Sequence, residues 1–421
     1  MIVTKPRHRP SHAELKRILD QHQRFLAGRG GVRALLAFAD LSGRALIGVN
    51  LAEADLSGAC LRGAYLADAK LDKAMLFGAD LNEADMEGAS LVAANLRGAT
   101  LRGANLTRAN LLRADLRSGA IATKDLKGNL YSTTSESGMA IKAGPAELQG
   151  ARLVNANLTD ADITGAIATE TDFTDAILRG ANLTYANLQN AKLIGADLEG
   201  ADLSATNLRG ADLEGAVLTS AKTELTDFHG ASLKDVLTNK PAGKPLEALG
   251  IGIEDLVRQH ILWVESAGAD GKPADLSGVD LRNGPSLKGA NLTALRAENA
   301  TFYGLDLEGA SLQGARLQGA DLRMCGLAGA DLRGAQLQAA TLNRADMREA
   351  NLEPLVMDSG RHYPTNLEGA RLRCADLRGA KLREANLCGA DLSEAHLADA
   401  DLRECRLDQA KLPQRRAVAK A

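Results

Sequence analysis

Residues 52–85 read AEADLSGACLRGAYLADAKLDKAMLFGADLNEAD, and this stretch decides the fold. Leu56, Leu61, Leu66, Leu71, Leu76 and Leu81 recur every five residues, and an Ala stands two places before each. The unit is A-(D/N)-L-x-G, numbered i−2 to i+2 about the Leu. An α-helix cannot use it: at about 100° per residue, successive Leu would be rotated by roughly 140° and would spiral without forming a face. In extended backbone, i−2 and i point one way and i−1 the other. Ala and Leu then face inward and Asp or Asn faces outward. Positions i+1 and i+2 turn the corner, where Gly at i+2 accepts positive φ at little cost.

The register runs outward from this stretch. It begins at ADLSG, 39–43, and continues through Met86 and Leu91 to Leu116, which defines a first run at 39–117. A second run, 146–237, carries Leu148, Leu153, Leu158, Ile163, Phe173 and Leu178 and goes on to Leu233. A third, 274–413, settles at Leu287 and Leu292 and ends at Leu412. Every Leu at position i in these runs is expected to be buried. Within the third run, EPLVMDSGRHYPTN (353–366) lacks the pattern, yet Leu367 follows Leu352 by fifteen residues, so this segment reads as a loop on a continuous stack. Residues 118–145 break the first run from the second. Their polar run Ser132–Gly138 reads as a protruding hairpin or loop, or as a plain disordered insertion. Residues 414–421 form a C-terminal tail with no apolar face.

The repeats resemble the pentapeptide-repeat family over most of the chain. The resemblance implies an all-β solenoid, a right-handed quadrilateral β-helix in which four pentapeptides make one coil. With about 4.8 Å between stacked strands, some fifteen coils would span roughly 70 Å.

Two segments depart from the five-residue period. SHAELKRILDQHQRFLAG offers Ser11 and Glu14 as a capping box, apolar Leu15, Ile18, Leu19, Phe25 and Leu26, and Gly28 as a stop. IEDLVRQHILWVESAG repeats it with Ile253, Leu256, Val257, Trp263 and Val264. Superposing the two puts Gln21-His22 on Gln259-His260 and Phe25 on Trp263, and each segment is followed by ADLSG. Similar helix–ADLSG entries occur in bacterial members of the family. We read two short capping α-helices, within 1–38 and 238–273, each covering the strand edges and Leu of a first coil. His22, Phe25, His260 and Trp263 are their structural contacts, with each imidazole bridging helix and solenoid. The connector 238–250, with Pro241 and Pro245, is the expected domain boundary.

Composition agrees with a narrow interior. Aromatic residues make up 3% of the 421 residues, with one Trp, so the core volume comes from Leu and Ala. Lys and Arg total 50 against 53 Asp and Glu, which gives no whole-chain case for nucleic-acid binding. The distribution is uneven. Residues 1–38 carry eight basic and two acidic side chains, and residues 146–235 carry six basic and fourteen acidic. No run of about 18 apolar residues and no apolar N-terminal region is present, so neither a transmembrane helix nor a Sec-type leader is expected. Cys60, Cys325, Cys374, Cys388 and Cys405 form no CxxC pair and read as free thiols in a reducing cytoplasm. Cys325 and Cys405 take the inward i−2 place; the other three are expected to be exposed.

The scattered His8, His12, His22, His229, His260, His362 and His396 form no metal or nucleophile–base spacing. We therefore expect no catalytic residues, no metal and no cofactor. Two charged stretches are candidate partner sites: an acidic one with Asp197, Glu199, Asp202, Asp212 and Glu214, and a basic one with Arg371, Arg373, Arg378, Arg383 and Arg403. The expectation is a non-catalytic scaffold or protein-interaction module in the cytoplasm, with an unidentified protein partner, no membrane and no direct nucleic-acid contact. The resemblance also implies an alternative, since some family members bind DNA gyrase or topoisomerase as mimics of duplex DNA and dimerise end to end. A homodimer is open on the same ground.

Overall fold

The computed structural model describes residues 7–119, 144–357 and 359–413, together with the backbone of 122–124 and 130–132. The repeat Asp55–Ala59 shows how five residues close their own accounts. Asp55 N–H donates to the Ala34 carbonyl at 3.0 Å, Leu56 N–H to Met75 at 2.8 Å and Gly58 N–H to Phe77 at 2.8 Å, all in neighbouring layers. Ala59 N–H closes the turn on the Leu56 carbonyl at 3.0 Å. The fifth donor, Ser57 N–H, goes to Oδ1 of Asp55 at 3.0 Å. Every backbone N–H of the repeat is thereby satisfied, as buried backbone requires. Asp or Asn at i−1 is thus more than a solvated face: its side chain closes an Asx turn on the one N–H that the stacking leaves over.

Outside the insertions, parallel bridges join most i−1 residues to the one twenty positions on, as in Asp55↔Met75↔Asn95↔Asp115. Four repeats therefore make one layer. Each contact is a single isolated bridge, because the chain turns after every fifth residue; extended strands have no room to form. Position i+2 takes φ near +60°, by Gly at Gly58 (+64°) and Gly78 (+60°), and also by Glu53 (+62°) and Arg108 (+60°). The chain accepts that strain wherever the turn demands it.

The chain divides into two compact units, Met1–Asn239 and Lys240–Ala421. In the first, helix α1 (His12–Leu26) leads into a core of Leu and Ala that runs unbroken to Leu218. The ladder passes directly across the insertion, from Thr100 to Glu147 and from Asp115 to Asp162. The insertion leaves the stack through mutual hydrogen bonds between Gly119 and Gly144 at 2.8 and 3.1 Å. Strands β1 (Ala122–Lys124) and β2 (Leu130–Ser132) pair antiparallel within it. The rest of the polar run ending at Gly138, and the tail 414–421, lie outside the described residues.

The second unit holds helix α2 (Ile253–Glu265) and its own core from Val257 to Ala395. The segment 353–366 forms a small antiparallel hairpin, β3 (Leu355–Val356) with β4 (His362–Tyr363), while Gln336↔Asn366 carries the ladder past it.

Each core contains one Phe that follows a repeat whose i position is Ala. Phe173 and Phe302 are fully buried, and the i position five residues before each is Ala168 and Ala297, where Leu is usual. Phe173 takes up part of the space that Ala168 leaves, whereas in the second unit Leu295, fully buried at i−2, fills the space beside Ala297.

The expectation that every i-position Leu is buried fails at the last layer of each unit. Leu233 is 48% and Leu412 46% exposed, and Leu397, Leu402 and Leu407 are half-buried. A Leu between two layers is covered on both sides; in the last layer of each unit no further coil covers it among the described residues.

Candidate functional site

Two kinds of constellation stand out: the helix attachments, and the charged rows on the outer faces. The attachments are built alike in both units. Ser11 caps α1 by accepting from Glu14 N–H at 3.2 Å, while the Glu14 carboxylate bonds His8 at 3.1 Å. The amphipathic face then brings Leu15, Ile18, Leu19 and His22 onto the first layer. His22 is fully buried, and its Nδ1 accepts Ala34 N–H at 3.1 Å. In the second unit His260 is fully buried and its Nδ1 accepts Ala274 N–H, also at 3.1 Å. Phe25 stacks on His22 at 5.9 Å and Trp263 on His260 at 5.7 Å. Gly31 and Gly271, at φ +96° and +77°, cross the helices so closely that a Cβ would lie 2.3 and 2.2 Å from the carbonyls of Gln21 and Gln259.

An extended arm completes each attachment. Asp40 N–H donates to the His8 carbonyl and Asp280 N–H to the Lys244 carbonyl, both at 2.8 Å. Arg9 reaches Asp40 and Ser42, and Arg282 ties Lys240 to Asp280. The arm 7–10 and the connector around 240–244 thus act as a top strand over the first layer of their own unit, a role that their composition did not announce.

The candidate acidic residues do not share a face. Asp197 lies on the row Asn157–Ile177–Asp197–Val217, Asp202 on Asp162–Asn182–Asp202–Lys222, and Asp212 on Asp172–Lys192–Asp212–Ser232. Asp197 is also buried: Arg179 Nε lies 2.5 Å from its carboxylate, and the same guanidinium reaches Glu199 at 3.1 Å. Lys222 pairs with Asp202 at 3.2 Å and Lys234 with Glu214 at 3.0 Å. Hydrogen bonds from Ser204, together with Lys222, hold the Asp202 carboxyl below the ordinary carboxylate range. What is continuous in sequence wraps around the coil and is largely neutralised by cations one layer away.

The basic residues divide the same way. Arg371 belongs to the row Asp321–Thr341–Arg371–Asp391 and is followed on it by Arg373; Arg378 follows Asp376 on the next; Arg383 and Arg403 follow Lys381 and Asp401 on a third. Arg378 grips Asp376 with contacts of 2.8 and 2.6 Å, and Arg403 grips Asp401 at 2.8 and 2.7 Å. Arg383 reaches Glu404 at 2.9 Å. These bidentate grips hold the Asp401 carboxyl near 2.

The interior carries a further device. At inward i−2 positions, Thr171, Thr206 and Thr226 donate their hydroxyls to the carbonyls of Leu148, Leu183 and Leu203, each at 2.7 Å. Cys325 and Cys405 fill the same place, with Sγ 3.2 Å from the Phe302 carbonyl and 2.9 Å from that of Leu382. Burial pushes both thiols up, Cys405 to about 11. Cys60, Cys374 and Cys388 are half-buried, deeper than expected. Among the described residues, no group of three or more His, Cys, Asp or Glu could hold a metal ion, and no helix is long and apolar enough to cross a membrane.

A stack of five-residue units whose side chains either fill the interior or lock the turns defines a repeat protein. The family pattern described as pentapeptide repeats (8 copies) matches residues 34–72, 54–91, 84–118, 146–180, 168–200, 181–220, 196–236, 286–323, 325–353 and 370–409. The chain belongs to the pentapeptide repeat family. Among solved structures it is similar to HetL, a pentapeptide repeat protein involved in heterocyst differentiation regulation from the cyanobacterium Nostoc sp. strain PCC 7120. That similarity has 25% identity over 80% of this chain and 90% of HetL, with a TM-score of 0.21. Rfr23, from the cyanobacterium Cyanothece 51142, is 33% identical over 34% of this chain and 88% of its own, with a TM-score of 0.26. Full-length QnrB1, a plasmid-mediated fluoroquinolone resistance protein, is 19% identical over 49% of this chain and 92% of its own, with a TM-score of 0.22. No curated protein matches the chain.

Proposed function

We propose that this protein is a non-catalytic interaction module of the cytoplasm, whose coils wind as a right-handed quadrilateral β-helix and present rigid outer faces to another protein. The observation that carries this reading is the state of the side chains. Inward positions are closed by Leu, Ala and hydroxyl or thiol pegs, and outward Asp, Asn and Arg are already tied into Asx turns and bidentate pairs. A surface fixed in advance loses little side-chain entropy on binding, which favours recognition. Catalysis would need a concave pocket with converging groups, and a filled interior offers no room for one.

The alternative is a mimic of duplex DNA that binds gyrase or topoisomerase. The acidic excess of residues 146–235 favours it. The pairing of Asp202 and Glu214 with Lys222 and Lys234 weighs against it, because a mimic needs unneutralised rows of negative charge. One experiment separates the two. The full chain and the double variant Asp202→Lys plus Glu214→Lys are compared in affinity capture from native lysate and in a gyrase supercoiling assay. A saturable protein partner without an effect on supercoiling supports the module. Supercoiling inhibition by the wild type that the double variant loses would establish the mimic instead.

A further inference from the structure

We propose that His22 and His260 are acid-release latches: proton uptake by each imidazole breaks its hold on the linker, frees the capping helix and uncovers the first layer of that unit. The geometry allows one protonation state. Nδ1 of each ring accepts a backbone N–H, from Ala34 and from Ala274, so the docked ring is neutral with its proton on Nε2. An added proton on Nδ1 would set two donors against each other at 3.1 Å. Both rings are fully buried, and neither Nε2 has a partner within hydrogen-bonding distance. A buried imidazolium would therefore have no counter-ion in direct contact.

The groups that face the two rings differ. Around His22 they are Arg33 from the linker and Glu53 and the Ala52 carbonyl from the first layer. Around His260 they are the carbonyls of Leu292 and Thr293, with no charged side chain contributing. Burial is the largest influence at both, and both rings sit below the ordinary imidazole range.

The linkage has a definite sign. A ring whose folded value lies below its free value binds a proton more readily when undocked. Docking is therefore unaffected above the free value of about 6.5 and is progressively lost below it, with the opening constant rising up to tenfold per pH unit. Release uncovers first-layer side chains of the cluster that joins Leu15 to Leu36 and Leu41, while the arm at His8 and the connector at Lys244 keep their backbone bonds to Asp40 and Asp280. Because the device occurs once in each unit, acid would uncover two such apolar surfaces in one molecule.

The test uses the full chain. Hydrogen exchange of the peptides covering 12–26 and 253–265 is measured at pH 7.5 and 5.0 and corrected for intrinsic rates. In parallel, fluorescence of Trp263, the single tryptophan, is followed as a reporter of the second latch. At least a tenfold loss of protection in both helices at pH 5.0, with the layers at 182–217 still protected, is expected. The variants His22→Asn and His260→Asn, whose Oδ1 can accept the same N–H without titrating, should stay docked at both pH values. A flat wild-type profile, an unchanged acid response in the Asn variants, or loss of protection throughout the stack would each overturn the proposal. Should the Asn variants already undock at pH 7.5, the ring titrations followed by NMR decide. Proton uptake in step with helix opening supports the latches, and uptake with the helices still protected overturns them.

Discussion

The two units open alike, but they distribute charge differently. In the second, Arg at i+1 grips the Asp at i−1 of its own repeat, at Asp280–Arg282, Asp321–Arg323, Asp331–Arg333, Asp346–Arg348, Asp376–Arg378 and Asp401–Arg403. In the first, among the described residues, only Asp115–Arg117 does so. There Arg62, Arg97, Arg179 and Arg209 follow Cys60, Asn95, Ile177 and Asn207 and have no carboxylate in their own repeat. Each reaches instead the Asp eighteen residues on, in the next layer: Asp80, Asp115, Asp197 and Asp227. The residue at i−1 thus decides where a guanidinium goes. The second unit pairs its Asp-Leu-Arg charges within repeats and adds rungs such as Lys288–Glu308 and Arg383–Glu404; the first relies almost wholly on rungs between layers.

The core should not share this asymmetry, and that is the largest effect to test. Leu203 and Leu322 are each 1% exposed. Leu203→Arg and Leu322→Arg bury an unpaired charge, with an expected loss of several kcal/mol in either unit. Leu402→Arg, in a last layer where the side chain is half-buried, should lose far less. Denaturant melts check this; equal losses at all three sites would contradict the layer structure.

The Ala–Phe exchange predicts a smaller and non-additive effect. Phe173→Leu should lose about 1–2 kcal/mol through the space left behind, and Ala168→Leu about 1–3 kcal/mol through overpacking. The double variant rebuilds an ordinary Leu–Leu layer and should recover most of both losses. In the second unit Leu295 already occupies the inward place beside Ala297, so Ala297→Leu should overpack and Phe302→Leu should recover little of that loss. Strict additivity of the Ala168 and Phe173 changes would show that the two positions do not share space.

The clamps predict a pH dependence. Burial pushes the Asp331 carboxyl up, but bonds from Arg333 and Gln313 outweigh it and hold the group below its ordinary range. A depressed carboxylate stabilises above its free value of about 3.9, and the contribution is lost as pH falls through the lower folded value. Asp331→Asn keeps an oxygen for the Arg333 N–H but loses the clamp. With both partners partly exposed, the expected loss at neutral pH is about 1 kcal/mol or less. It should vanish toward pH 2 in acid titrations of stability, and a loss that persists there would point to packing.

Much of this was legible beforehand because the period is strict. Once i and i−2 point inward, residues 52–85 dictate which side chains fill the core, and Ser11 with Glu14 marks a helix start. Three things were hidden. The frame cannot say which layer is last, so Leu233 and Leu412 were misplaced. Charges adjacent in sequence, such as Asp197 to Glu214, turn a corner every five residues, so a run of like charge is not a patch. The Asx role of i−1 needed the count of N–H groups that stacking leaves over. One signal was available and passed over: the recurring Asp-Leu-Arg triplet, whose two charges lie on the same side of an extended backbone.

The smallest expected effect tests whether that triplet is sufficient by itself. Ser204 follows Asp202 in the first unit; its N–H bonds Asp202 at 3.0 Å and its hydroxyl bonds Glu224 at 3.2 Å. Ser204→Arg writes Asp-Leu-Arg into the unit that otherwise uses rungs. The new guanidinium has the spacing from Asp202 that Arg378 has from Asp376, and it competes there with Lys222, which lies 3.2 Å from the same carboxylate. Stability should change by no more than about 0.5 kcal/mol, since one partner replaces another at a half-exposed site. The discriminating measurement is a double-mutant cycle. Lys222→Ala should destabilise the wild type slightly and leave the Ser204→Arg background unchanged, because the carboxylate has been satisfied within its own repeat. If Lys222→Ala has the same effect in both backgrounds, the triplet does not redirect the charge, and the difference between the units must come from the neighbouring layers.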